Sequence, residues 1–106
     1  MANTSWNIEE ENNNHAEILI KQMKNIYNPK YFRGNKELIL EFYFTDLSEK
    51  FQLVLNNKEC KFLKNNFLDY TTKIETSFDI WQDISKGKIK GDEALAQGKY
   101  RVLGDI

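Results

Sequence analysis

Residues 70–105 read Tyr70-Thr-Thr-Lys-Ile-Glu-Thr-Ser-Phe-Asp-Ile-Trp-Gln-Asp-Ile-Ser-Lys-Gly87, then Lys88-Ile-Lys-Gly-Asp-Glu-Ala-Leu-Ala-Gln-Gly-Lys-Tyr-Arg-Val-Leu-Gly-Asp105. The spacing predicts a strand over Tyr70 to Thr76, with Thr72, Ile74 and Thr76 on one face. Ser77 suits a helix N-cap, Asp79 suits the positive end of that helix, and Gly87 suits its left-handed stop. Phe78, Trp81 and Ser85 share one side of this helix, with Ile80 and Ile84 adjoining. Asp92 is expected to cap a second short helix with Ala94, Leu95 and Ala96, which Gly98 ends. Tyr100 and Val102 then alternate with Arg101 and Leu103 on a closing strand. Two small helices carrying large apolar side chains over a sheet can build a pocket. No residue in the stretch is set up to make or break bonds.

Working towards the N-terminus, Lys36 to Thr45 alternates Leu38, Leu40, Phe42 and Phe44 with Ile39, Glu41, Tyr43 and Thr45. That period of two places a wholly apolar face against a core or cavity and a mixed face opposite. Asp46-Leu-Ser-Glu-Lys50 is a polar turn, and Phe51, Leu53 and Leu55 line one face of a second strand. Asn56-Asn57 reads as a hairpin turn into a third strand with Cys60 and Phe62, giving an antiparallel meander. Ahead of the sheet, Ala16, Leu19, Ile20, Met23, Ile26 and Tyr27 recur at helical spacing and form one apolar stripe, read as core. Asn14 and Glu17 resemble a capping box, and Pro29 ends the helix by Asn28. Residues 1–13 read as a polar, flexible tail, and residues 14–106 as a single domain.

At 106 residues the chain suits one domain with a modest core. A net charge of −1 provides no field to gather nucleic acid, and no basic, aromatic-interleaved motif supports that partner. The single Cys60 excludes an internal disulfide and any multi-cysteine metal site, and it reads as a buried, unreactive thiol in a reducing compartment. No apolar run approaches the roughly 20 residues of a membrane span, and the N-terminus does not resemble a signal peptide. A soluble, cytoplasmic protein is expected.

The element order, with Thr76-Ser77, the aromatic helix closing in Lys86-Gly87-Lys88, Ala94-Leu-Ala-Gln-Gly98-Lys99 and the final Gly104-Asp105, resembles the sterol carrier protein type 2 (SCP-2 sterol transfer) family. The last 37 or so residues carry the motifs. The first 65 agree in element order only. Thr71-Thr-Lys-Ile-Glu-Thr and Ser77-Phe-Asp-Ile-Trp are similar to bacterial members at the end of flavodoxin-like or flavin-reductase chains. The resemblance implies an α+β fold: a five-stranded, mostly antiparallel sheet, with helices packed on one face and an apolar tunnel between the layers. It implies unselective binding of sterols, fatty acids or acyl lipids, with no catalytic residue and no cofactor. The ligand-binding positions it transfers are Phe42, Phe44, Leu53, Leu55, Ile74, Trp81, Ile84, Leu95 and Val102.

Two departures stand out. Many relatives place Asp-Gly between the first two strands, where this chain has Asp46-Leu47-Ser48-Glu49. Relatives also continue past Gly-Asp into an apolar helix over the tunnel mouth, whereas this sequence stops at Ile106. Either another molecule supplies the cover, or the sequence is a fragment, or the pocket is open and invites a homodimer.

The remaining chemistry is sparse. His15 is expected to be exposed, and a Cys60–His15 pair would require chance proximity. Gly87-Lys-Ile-Lys-Gly91 lacks the spacing of a phosphate loop, and no metal-ligand spacing occurs. Asp79 and Asp83 lie one turn apart and read as a solvated helix face. Lys86, Lys88, Lys90, Lys99 and Arg101 form a basic cluster, either a soluble rim or a transient contact for a membrane surface or a fatty carboxylate. Two functional readings follow. One is a non-catalytic binder of hydrophobic small molecules or lipids. The other is an interaction domain, docking a flavodoxin-like module or pairing with itself, with its interior filled.

Overall fold

The computed structural model describes the backbone of residues 8–104 and the side chains from residue 15 onward. The expected tail falls partly outside this range, in residues 1–7, as does Asp105 of the closing motif. Nine elements follow in order: helix α1 (Ile8–Ile26), a 3₁₀ turn (Pro29–Tyr31), strands β1 (Leu38–Phe44), β2 (Glu49–Leu55), β3 (Cys60–Leu63) and β4 (Thr72–Thr76), helices α2 (Phe78–Ser85) and α3 (Gly91–Ala96), and β5 (Arg101–Gly104). The expected α+β architecture is present, with one five-stranded sheet in the order β3-β2-β1-β4-β5. Only β1 and β4 run parallel, and the other neighbours are antiparallel.

Two helix starts differ from the expectation. α1 begins at Ile8, so Asn14 lies inside the helix and no capping box starts there. Glu9, Glu10 and Glu11 have high helix propensity, and acidic residues suit a helix N-terminus, so the helix extends where apolar periodicity is silent. α3 begins at Gly91, with Lys90 at the cap position and no side-chain cap bond. Asp92 lies in its first turn, and its Oδ1 accepts from the Glu93 N–H at 2.9 Å. Ser77 does cap α2, its hydroxyl accepting from the Ile80 N–H at 3.2 Å. Gly87, at φ +75°, follows α2 in the left-handed conformation expected of it.

The apolar even face of β1 points at the helices, as alternation requires. Phe42 and Phe44 are fully buried there with Phe51, Leu53, Phe78 and, from α1, Ala16 and Ile20. Asp46 ties this layer together: its Oδ1 accepts the Phe78 N–H at 2.8 Å, linking the β1–β2 turn to the start of α2. Ser48, at φ +53°, makes the left-handed step in that turn without a glycine.

The mixed face is covered too. Reaching β4 from β3 takes the chain back across β2 and β1, and residues 64–71 make that crossing over the outer face. Gln52, fully buried, holds them: its Nε2 donates to Glu41 Oε1 and to the Leu68 carbonyl, both at 2.8 Å, and its Oε1 accepts from the Leu68 N–H at 3.0 Å. Buried amides need such saturation. Glu41 is buried as well, with Lys73 Nζ 3.6 Å from its carboxylate.

Candidate functional site: an apolar groove at the end of helix α1

Three cross-strand pairs grade the helix-facing side of the sheet. In register, Phe42 lies opposite Phe51, Leu40 opposite Leu53 and Leu38 opposite Leu55. At the phenylalanine end, rings fill the space under α2. Phe42 meets Trp81 at 5.2 Å between centroids, and Phe44 meets Phe78 at 5.5 Å and Phe51 at 6.1 Å. Such tilted and edge-on contacts pack an interior densely. At the leucine end the side chains are shorter, and a groove of about 710 Å³ opens.

The end of α1 and the segment after it form the other wall. Asn28 is extended ahead of Pro29, and its Oδ1 accepts from the Lys30 N–H at 3.0 Å. This turn brings Tyr31, Phe32 and Arg33 to the groove beside Met23, Ile26 and Tyr27 of α1. Tyr27 is fixed by its hydroxyl, which donates to the Asn56 carbonyl at 2.7 Å. Desolvation by the surrounding protein raises the Tyr27 phenol above its ordinary range, so it remains a neutral donor. Arg33 and Asn28 provide the polar side chains of an otherwise apolar lining. Volume and lining match the usual anatomy of a small-molecule site.

The nine transferred positions are divided by this geometry. Leu53 and Leu55 line the groove. Phe42 and Phe44 are fully buried in the ring cluster instead. Ile74 pairs with Phe42 on one side and Val102 on the other. Trp81 packs on Phe42 and edge-on to Tyr100, and its buried Nε1–H has no hydrogen-bond partner among the described residues. Ile84 lies beside Gly91, whose carbonyl accepts from the Tyr100 hydroxyl at 2.9 Å. Leu95 is 39% exposed and packs in no core cluster.

The groove residues outside the expected set are Met23, Ile26, Tyr27, Tyr31, Phe32, Leu38 and Leu40, with Arg33 and Asn28. Leu38 and Leu40 were legible, because they share the even face of β1 with Phe42. The α1 stripe, expected as core, is core only in part. Ala16 and Ile20 are buried, but Ile26 is 82% exposed at the groove edge. The stripe overruns the sheet it packs on.

Other chemistry is muted. Burial pushes the Cys60 thiol up, which disfavours the nucleophilic thiolate. His15 is exposed on α1 and lines a smaller depression against α2 of about 350 Å³. Among the described residues no three His, Cys, Asp or Glu side chains are grouped to hold a metal. None of the described helices is long and apolar enough to cross a membrane.

Comparison with known proteins decides the family. The model of the SCP-2 sterol transfer family matches residues 16–106. The chain belongs to that family. No curated protein sequence matches this SCP-2 domain. Among solved structures, it is similar to a double mutant of a sec-alkyl sulfatase at 17% identity and a TM-score of 0.73, covering 84% of this chain. The domain spans only 14% of that sulfatase chain. It is also similar to sterol carrier protein 2 like 2 from Aedes aegypti at 21% identity and a TM-score of 0.61, with 85% of each chain covered. A palmitated form of that protein matches at 19% identity and a TM-score of 0.61, covering 84% of this chain and 82% of the other. At these identities the likenesses show a shared fold.

Proposed function

We propose that this SCP-2 domain binds a single-chain hydrophobic ligand, a fatty acid or acyl lipid, in the groove at the end of α1. The observation that carries the reading is the leucine-lined opening of about 710 Å³ beside a ring-filled centre. The ligand's tail lies along Leu38, Leu40, Leu53 and Leu55, and a carboxylate or phosphate head faces Arg33 at the rim. About 14 buried methylenes at roughly 0.8 kcal/mol each give about 11 kcal/mol of gross transfer energy. Ordering the chain and losing its free motion removes several kcal/mol, which leaves a dissociation constant of micromolar order. Membership of the SCP-2 family supports the ligand class, and the palmitated form of the Aedes aegypti protein supports the size of the tail.

The test is titration with a fluorescent fatty acid. Micromolar binding that Leu55→Glu weakens more than about tenfold, with the fold retained by circular dichroism, supports the reading. A flat titration on folded wild-type protein overturns it.

A second reading, an accessory module within a larger chain or a self-pairing domain, is favoured by the 14% share of the sulfatase chain that matches. It includes the flavodoxin-like partner and the homodimer. Absence of probe binding together with a concentration-dependent dimer in light scattering supports it over the carrier.

A further inference from the structure

Three of the seven exposed large apolar side chains described fall within four residues: Phe67, Leu68 and Tyr70. They belong to the segment that crosses the outer face of the sheet. Such a cluster differs from singly scattered surface apolar residues. The segment is held in place, because Gln52 bonds the carbonyl and the N–H of Leu68, at 2.8 and 3.0 Å. Beside it lies a depression of about 440 Å³, lined by Phe67, Asp69 and Tyr70 together with Glu41, Lys50 and Lys73 of the strands. The charges around it are balanced. Lys73 is paired with Glu41 at 3.6 Å and with Glu75 at 3.3 Å, and Arg101 with Glu75 at 2.8 Å. That leaves Lys50 and Asp69, one of each sign, and neither has an ion pair among the described residues. Lys50 Nζ rests instead over the Phe67 ring, 4.9 Å from its centroid.

We propose that two copies of this chain pair through their outer sheet faces. Phe67, Leu68 and Tyr70 form the centre, and Lys50 of each copy meets Asp69 of the other. A two-fold axis sets one patch on itself, so every contact occurs twice with the partners exchanged. A patch holding one unpaired cation and one unpaired anion is complementary to its own copy under that operation, whereas a patch of one sign is not. An anionic membrane is the poorer occupant, because balanced charge gives no net attraction to head groups. Five strands about 4.8 Å apart and up to about 20 Å long offer roughly 500 Å² of face per copy. Pairing would bury about 1,000 Å² in total, the size class of weak, reversible complexes. The held segment loses little freedom on docking, which favours association at that size. Leu38, Leu40, Leu53 and Leu55 line the groove on the other side of the sheet, so pairing leaves its opening free. Self-pairing here builds on the second reading above, without its filled interior, and does not depend on the groove taking lipid.

The experiment is sedimentation velocity on the full chain from about 1 to 500 μM, with the fold of each variant checked by circular dichroism. Wild-type protein is expected to pass from monomer to dimer within that range. Lys50→Asp alone and Asp69→Lys alone each set like charges together at both contacts, and each should weaken the dimer at least about tenfold. Mixing the two variants restores both opposite pairs, so an equimolar mixture should associate within about threefold of wild type. Phe67→Ser with Tyr70→Ser should weaken the dimer at least about tenfold. Ile26→Ser with Tyr31→Ser, at the groove, should leave it within about twofold, because those residues lie outside the pairing face. A wild-type monomer at every concentration, a dimer indifferent to either charge reversal, a mixture that stays monomeric, or a dimer lost through the groove variant overturns the pairing. The fluorescent fatty-acid titration keeps the two claims apart. Phe67→Ser with Tyr70→Ser should take up the probe as wild type does. If wild-type protein binds no probe yet dimerises as described, the groove reading alone falls. If it binds the probe and stays monomeric, only the pairing falls.

Discussion

Phe42 and Trp81, both expected to line an apolar tunnel between sheet and helices, meet with ring centroids 5.2 Å apart and planes inclined at 60° under α2. The contact moves the open volume to the other end of the sheet, where the facing pairs are leucines. Trp81 is therefore expected to contribute to stability through this packing. Trp81→Ala should cost about 3 kcal/mol in urea denaturation, at the lower end for a partly exposed tryptophan. Trp81→Phe should cost clearly less, because it keeps a ring against Phe42 and removes the indole N–H that is buried without a partner. If the two variants are equally destabilised, the orphaned donor is not a liability.

Leu55→Glu should act in the opposite way. The residue is half-buried on the groove wall, so the carboxylate can reach water, and folding should survive at a cost of about 1–2 kcal/mol. Binding of a fluorescent fatty acid should weaken more than about tenfold, because the charge is desolvated beside the acyl chain.

Gln52→Leu removes three hydrogen bonds at once and leaves the Leu68 N–H and carbonyl without their partner. A loss of about 1–3 kcal/mol is expected, set mainly by the buried Glu41 carboxylate losing its donor, because the half-exposed Leu68 groups can turn to water. Hydrogen exchange should locate the damage. The Leu68 amide should lose protection, while the helix-facing core keeps most of its own.

Gly104→Ala tests the close approach of β5 to β4. Gly104 has φ +86°, and a Cβ there would collide with the Thr71 carbonyl. The substitution should cost more than about 1 kcal/mol, whereas Gly98→Ala, strained in φ but facing open space, should cost less.

Acid stability should depend on two carboxylates. Burial would raise the Glu75 carboxyl, but the hydrogen bond and charge of Lys73 and Arg101 more than offset it and hold it below the usual carboxylate value. Glu17 is lowered by hydrogen bonds from Lys21 and Lys64. A depressed carboxylate contributes stability above its unfolded value near 4.3, and that contribution is lost as pH falls through the folded value. The melting temperature should therefore drop below about pH 4.5, and the drop should shrink in Glu75→Gln and in high salt.

The residues differ in how much they disclosed. Ser77, Gly87 and the alternation of Phe42 with its neighbours are local signals, set by capping, left-handed geometry and a period of two. They fixed α2, the meander and the apolar face. Asn14 misled, because a capping pattern inside a run of good helix formers is outcompeted by continued helix. Gln52 and Glu41 gave no warning of burial, since what covers them is a segment that arrives from β3 on its way to β4.

The sequence by itself determined which faces are apolar, where the helices of the C-terminal half stop, and which family the chain resembles, because each depends on residues close together in the chain. Only the tertiary structure decided where volume remains. Cavities are set by the size of side chains brought together from distant elements. Phenylalanine against tryptophan fills one end of the layer, and leucine against leucine, with Ile26 swinging clear of the sheet, leaves the other end open.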